Sequence, residues 1–192
     1  VPEHGSLPLQ ETGQRPSRAL PYRFAVSTDA DHPDKLSFSN TGKQGVVFRI
    51  RQSGHPSQHL TVLAGTSQTW TCASQGNVEI YGPHGFYRLH RPSSNLALEL
   101  EEDGNKLTFV FSTSRPAEKD VLLIDHYSGE KMTCPLKARS RATETVDLVP
   151  SQGWYHVEVK SMSGDVLLAA AGHIENGEPS ISDPHMGKTA HR

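Results

Sequence analysis

From Tyr22 onward the chain is written in short runs of alternating apolar residues, and that texture restricts it to β-structure. The runs are YRFAV at 22–26, LSFS at 36–39, VVFRIR at 46–51, HLTVLA at 59–64, NVEIYG at 77–82 and LALELE at 96–101. They continue with KLTFVF at 106–111, DVLLIDHY at 120–127, TVDLV at 145–149, WYHVEVK at 154–160 and VLLAAA at 166–171. A period of two puts every second side chain on one face of a strand. It is cleanest in VEIY, LALELE and WYHVEV. No apolar series at helical spacing persists over the roughly 10–12 residues a helix needs. Short strands recurring every 8–12 residues or so, with turn residues between them, predict an all-β sandwich or barrel.

The turns agree with that reading. Asn40-Thr41-Gly42, Asp103-Gly104-Asn105 and Ser163-Gly164-Asp165 each separate two strand-like runs. The Asp-Gly pair is the strongest hairpin signal, because it supplies the positive φ that a tight turn demands. The chain also resembles itself. LSFSNTGKQGVVFRIR (36–51) aligns with LTFVFSTSRPAEKDVLLI (107–124), HLTVLAGTSQTWTC (59–72) with MTCPLKARSRATETVDL (132–148), and GNVEIYGPHGFYRLHRP (76–92) with GWYHVEVKSMSGDVLLAAAGH (153–173). The expected architecture is therefore all-β, with two tandem immunoglobulin-like antiparallel β-sandwich units. A proline-rich linker or arm covers 1–21, the first module 22–92, the second 93–175, and a tail 176–192.

Charge and hydropathy remove several classes. With 19 basic and 21 acidic residues the net charge is −2, whereas nucleic-acid binding requires a basic surplus or patch; no nucleic-acid partner is expected. The longest apolar run, Val166–Ala171, has six residues, far short of the roughly 18 a membrane-spanning helix needs. The chain opens on Val1 with no signal-peptide pattern, so the expectation is a processed protein or a piece of a longer one. Cys72 and Cys134 leave open whether they pair or remain two buried thiols.

No catalytic motif is visible. G-x-S-x-G, a P-loop, H-E-x-x-H and C-x-x-C are all missing. His55 and His59 stand four apart, but Gly54 and Pro56 place them in a loop, where they read as solvated. His84, His90, His126, His156 and His173 occur singly and read as partly exposed strand positions. Asp29, Asp31 and Asp34 in DADHPD form an acidic cluster lacking the EF-hand pattern: the fifth and sixth positions are Pro33 and Asp34, and the twelfth is Asn40. They read as a solvated loop. Trp154 reads as a core aromatic, with a sugar-stacking or membrane-interface platform as the alternative. Gly82 and Gly85 read as backbone-geometry positions, with Pro83 presetting the turn.

An ordered set of short motifs resembles a known family. It runs Leu9-Gln10-Glu11, Gly13, Arg15-Pro16, Ala19-Leu20-Pro21-Tyr22, then Asn40-Thr41-Gly42, Val47-Phe48, Val62, Ala64-Gly65 and Tyr81-Gly82-Pro83-x-Gly85-Phe86. It continues with Gly153-Trp154-Tyr155, Ala171-Gly172-His173-x-Glu175-x-Gly177 and Ser182-Asp183-Pro184. Together these are similar to the C-terminal region of bacterial phosphocholine-specific phospholipases C, a family with haemolytic and non-haemolytic members related to acid phosphatases. The resemblance covers nearly the whole chain and implies a duplicated C-terminal module. It also implies secreted parents, extracellular or periplasmic, that cleave phosphatidylcholine or sphingomyelin to release phosphocholine. Their nucleophile and metal site belong to an upstream catalytic domain of the same chain. No catalytic, cofactor-binding or metal-binding residue is therefore expected here. Asn40, Gly42, Tyr81, Gly82, Pro83, Gly85, Phe86, Gly153, Trp154, Tyr155, Gly172 and His173 are expected to be structural.

Three roles follow as expectations. The first is an accessory region that supports the catalytic domain and presents it to a phospholipid surface, with Phe86 or Tyr87 inserting shallowly and Arg88, Arg91 or Lys43 facing headgroups. The second is a docking module for a partner protein or chaperone. The third is a carbohydrate-binding sandwich using Trp70 or Trp154.

Overall fold

The computed structural model describes residues 13–29, 31–113, 120–136 and 141–186. Sixteen strands order the described residues, with no α-helix among them and one short 3-10 turn at Pro92–Ser94. In chain order they are β1 (Pro16–Ser17), β2 (Phe24–Thr28), β3 (Lys35–Asn40), β4 (Val46–Gln52), β5 (Gln58–Val62), β6 (Thr66–Thr71), β7 (Val78–Tyr81) and β8 (Tyr87–His90). After the 3-10 turn come β9 (Leu96–Asp103), β10 (Lys106–Thr113), β11 (Val121–Asp125), β12 (Lys131–Cys134), β13 (Arg141–Asp147), β14 (Trp154–Ser161), β15 (Val166–His173) and β16 (Ser180–Ile181).

An eight-stranded antiparallel sheet in the order β12-β11-β14-β15-β8-β7-β4-β5 forms one continuous layer. Two three-stranded sheets, β2-β3-β6 and β13-β10-β9, supply the opposing layers. Strands β2–β8 and β9–β15 follow the same order within their sheets: β2-β3-β6 with β8-β7-β4-β5, and β9-β10-β13 with β15-β14-β11-β12. The three pairs of self-similar segments fall on β3–β4 and β10–β11, on β5–β6 and β12–β13, and on β7–β8 and β14–β15. Residues 1–12 of the expected arm, Ala30 of the acidic cluster, 114–119 and 137–140 within the aligned segments, and 187–192 of the expected tail lie outside the described residues.

Two cores result. In the first, Val46, Phe48, Ile50, Val78 and Ile80 from the long sheet meet Val26, Leu36 and Phe38 from the short one. Alternation makes this possible: β4 reads buried–exposed along its whole length. Phe24, Phe38, Phe48 and Phe86 pack their rings at 4.9–5.7 Å, mostly edge to face, as the ring quadrupole favours. In the second core, Leu107, Phe109 and Phe111 of β10 face Leu123, Val157, Val159 and Leu168. The cysteines settle into different cores as free thiols. Burial pushes Cys72 up to about 11 and Cys134 up to about 12, which makes both poor nucleophiles.

The turns show local chemistry at work. Lys106 pairs with Asp103, so the hairpin loop is Gly104-Asn105, and Gly104 carries the positive φ of 58°. Glycine at the first loop position is the requirement of a II′ turn; the Asp sits in the strand rather than the loop. Asn40 is buried, and its amide donates to the Gln44 and Val62 carbonyls at 2.8 and 3.0 Å while its Oδ1 accepts from Gly42 N. A side chain on Gly42 would press within 2.7 Å of the backbone of Arg23 and Pro21.

The arm and the tail meet. β1 pairs with β16 in a two-residue antiparallel ladder. Tyr127 donates to Asp183 at 2.7 Å and stacks on His185.

Because Phe48 and Phe109 are each fully buried in a separate core, Phe48→Ala and Phe109→Ala should each lower the unfolding free energy by about 3–5 kcal/mol. Urea titrations of the single variants check this, and a loss below 1 kcal/mol or so for either would refute its place in a close-packed core.

Candidate functional site

The last strand of each set pairs with the other: β8 and β15 run antiparallel with Leu168 opposite His90, Ala170 opposite Arg88 and Ala171 opposite Tyr87. Small Ala170 leaves room for a guanidinium, and Arg88 is buried there. Its Nη1 donates to the carbonyls of Tyr87 and Ala171 at 2.8 and 3.0 Å, and its Nη2 donates to the Tyr155 hydroxyl at 2.8 Å. The guanidinium lies 4.2 Å from the Phe86 ring centroid and 5.3 Å from that of Tyr155, a cation–π arrangement on both sides. Phe86 belongs to the first core and Tyr155 to the second, so this one side chain binds the two together. Its Nε has no hydrogen-bond partner among the described residues.

Above this seam, the turn after β7 meets the end of β15. Pro83-His84-Gly85 closes through Gly82 N donating to Phe86 O and Phe86 N donating to Pro83 O. His84 is held at φ 54°, a left-handed conformation uncommon outside glycine. Its ring packs edge-on to Trp154 at 4.8 Å and against His173 at 5.1 Å. Trp154 is buried and donates from Nε1 to the Ile181 carbonyl at 3.0 Å, so β16 roofs it. Glu175 Oε1 lies between the two imidazoles, in contact with His84 Nδ1 and 3.1 Å from His173 Nδ1. Burial works to raise the Glu175 carboxyl, but the hydrogen bonds to His173 and His84 outweigh it and hold it below its usual value. Two glycines make the approach possible. A Cβ at Gly153 would sit 2.9 Å from His173 Nε2, and one at Gly172 would sit 2.9 Å from the Tyr155 hydroxyl. The groups line a cleft of about 180 Å³ whose walls include Tyr22, Phe24, His84, Arg88, Glu102 and Glu175.

Histidines that are scattered along the sequence thus converge in space. Two groups place three ligand-type atoms within 4.8 Å of one another: His84, His173 and Glu175, and His126, His156 and Glu158. In the second, the His126 and His156 rings stack at 4.2 Å, and His126 Nε2 is 3.1 Å from Glu158. Lys160 Nζ lies 2.9 Å from the same Glu158 oxygen. Burial and the neighbouring His126 lower the His156 pKa. Asp29, Asp31 and Asp34 form no such group among the described residues, and His55 and His59 are exposed.

The expected lipid-facing residues divide. Phe86 and Arg88 are both buried, which corrects their placement at an exposed loop tip. Phe86 turns into the ring cluster, and Arg88 occupies an inward position of β8, where side chains alternate in and out. Tyr87 points to the opposite face, half-buried beside Tyr81 at 5.2 Å. Arg91 is half-buried and bonded through Nε to Asn77 Oδ1. Trp154 offers no exposed platform, and half-buried Trp70 donates to Gln58.

Residues 16–91 match the family described as bacterial phospholipase C, C-terminal domain. That match covers the first strand set, β2–β8. It is 30% identical to the non-hemolytic phospholipase C of Burkholderia pseudomallei (strain K96243), with 95% of this chain and 29% of that protein aligned. It is likewise 30% identical to the non-hemolytic phospholipase C of Pseudomonas aeruginosa over 97% of this chain and 30% of that protein. The hemolytic phospholipase C of the same organism is 26% identical over 95% of this chain and 31% of its own length. The chain therefore spans about 30% of the length of the relatives it matches. The family match ends at 91, beside the seam, so Trp154, Tyr155 and His173 lie past it.

Two outcomes are expected. Arg88→Met removes three charge-assisted donors and leaves the Tyr155 hydroxyl unpaired, so it should cost about 2–4 kcal/mol. Combined with Tyr155→Phe the losses should be non-additive; simple additivity in chemical denaturation would show that the two side chains act separately. The second outcome concerns His90, which is buried and donates from Nε2 to the Pro33 carbonyl at 2.6 Å. Burial lowers its pKa despite that bond. Above roughly pH 6.5 both folded and unfolded forms are neutral and the contribution is constant; below it the unfolded chain binds a proton that the native ring refuses. Stability should therefore fall as pH drops from about 6.5 towards the lowered native value. His90→Leu should flatten that slope in melting curves taken between pH 8 and 5; an unchanged slope would refute the assignment.

Proposed function

We propose that this chain is a non-catalytic accessory region of a secreted bacterial phospholipase C. In this reading it is built as two tandem immunoglobulin-like sandwiches that support the catalytic part of the same protein. The parent enzyme hydrolyses phosphatidylcholine or sphingomyelin and releases phosphocholine. The observation that carries the reading is the alignment of nearly all of this chain with less than a third of three phospholipases C, together with the C-terminal domain match. The shared strand order of β2–β8 and β9–β15 supports the tandem arrangement. The burial of Phe86 and Arg88 favours support of the neighbouring domain over lipid anchoring, since both expected anchors are already used to join the cores.

Co-expression of the chain with the remaining part of the enzyme, as two polypeptides, tests the reading. The expected result is a stable complex on size exclusion, no turnover of a choline phosphodiester by the chain alone, and no sedimentation with phosphatidylcholine vesicles. Failure of the two polypeptides to associate would overturn the supporting role. Turnover by the chain alone would overturn the non-catalytic one.

A further inference from the structure

We propose that His84, His173 and Glu175 form a zinc site that clamps the first strand set to the second. Two imidazole nitrogens and one carboxylate oxygen are a ligand set zinc accepts, and here one such atom from each residue lies within 4.8 Å of the other two. The His173 Nδ1 to Glu175 Oε1 separation of 3.1 Å is close to the ~3.3 Å between neighbouring ligands on a tetrahedral zinc with bonds near 2.0–2.1 Å.

The hydrogen-bond surroundings of His173 are compatible with a metal on Nδ1. Its Nε2 lies 3.2 Å from the Gln152 carbonyl and 2.8 Å from Ser180 Oγ, and its Nδ1 faces the Glu175 carboxylate. A neutral imidazole has one N–H. With the proton on Nδ1, Nδ1–H donates to Glu175 and Nε2 accepts from the Ser180 hydroxyl. With zinc on Nδ1, Nε2–H donates instead to Gln152 O and Nδ1 gives its lone pair to the metal. A backbone carbonyl on the far nitrogen is the usual support for a metal-bound histidine. The side chains of His173, Glu175 and His84 are 5%, 11% and 20% exposed, so the three ligands are preorganised while the cleft side stays open to a fourth, a water. The His126, His156 and Glu158 group differs in that the Lys160 ammonium already occupies its carboxylate.

The ligands span the seam. His84 comes from the turn between β7 and β8, and His173 and Glu175 from the end of β15. Bound zinc would therefore hold the two sets together through a contact independent of Arg88.

The test is calorimetric titration of the chelator-treated 192-residue chain with zinc chloride, alongside thermal unfolding with and without zinc. The expected result is one equivalent bound and a rise in melting temperature. Affinity should fall at least roughly tenfold in His84→Ala and in Glu175→Gln and stay unchanged in His126→Ala. Glu175→Gln preserves side-chain shape, so it reports on ligation even if His84→Ala perturbs the turn. Absence of zinc uptake overturns the proposal. Uptake unaffected by His84→Ala and Glu175→Gln, or lost in His126→Ala, overturns it as well.

Discussion

The antiparallel pairing of β8 with β15 is the constraint on which the rest of this structure depends. Each is the last strand of its set, and each would otherwise expose a row of unpaired backbone groups. Joined, they convert two four-stranded faces into one eight-stranded sheet, leaving β5 and β12 as its edges. The seam also carries a buried guanidinium. Taking such a charge out of water costs several kcal/mol unless it is well bonded, and Arg88 meets that cost with two carbonyls, a phenol and two aromatic faces. Because those partners come from both cores, the bonds that make Arg88 tolerable also fix how the two cores sit.

The seam dictates where polar chemistry can gather. The β7–β8 turn of one set is brought against the C-terminal end of β15 in the other, and the only way to fit His84, Trp154, His173 and Tyr155 there is to remove side chains beside them. Gly85, Gly153 and Gly172 do so. The arm and tail then close over the same place, through β1 with β16 and through Ile181 accepting from Trp154. The consequence is a rigid relation between two small cores that would each be marginal alone.

Much of the fold was legible because alternation reports burial directly. β4, β9, β10 and β14 face one way with apolar residues, and their runs are plain in the sequence. β6 was not: TSQTWT lies at the edge of its three-stranded sheet, exposed except for half-buried Trp70, so no apolar face was needed to hold it. β12, KMTC, is also an edge strand and is similarly faint. The site was legible only as motifs. Gly172-His173-x-Glu175 and Pro83-x-Gly85-Phe86 stood out through family resemblance, yet nothing local joins residues 91 apart such as His84 and Glu175. Phe86 and Arg88 were misplaced for the same reason. An aromatic and an arginine beside a Gly-Pro turn look like a surface tip until the second core supplies Tyr155 and Ala171 on the other side.

By itself the sequence determined the strand periodicity, the turn residues at Gly42, Gly104 and Gly164, and a resemblance to a phospholipase C C-terminal domain. These are local or additive properties, written in neighbouring residues and their order. Tertiary structure alone decided that β8 pairs with β15, that Cys72 and Cys134 occupy different cores, that Arg88 points inward, and that His84, His173 and Glu175 converge. Each of those is a contact between distant segments, settled by how two packed layers meet and by which buried polar groups can find partners there.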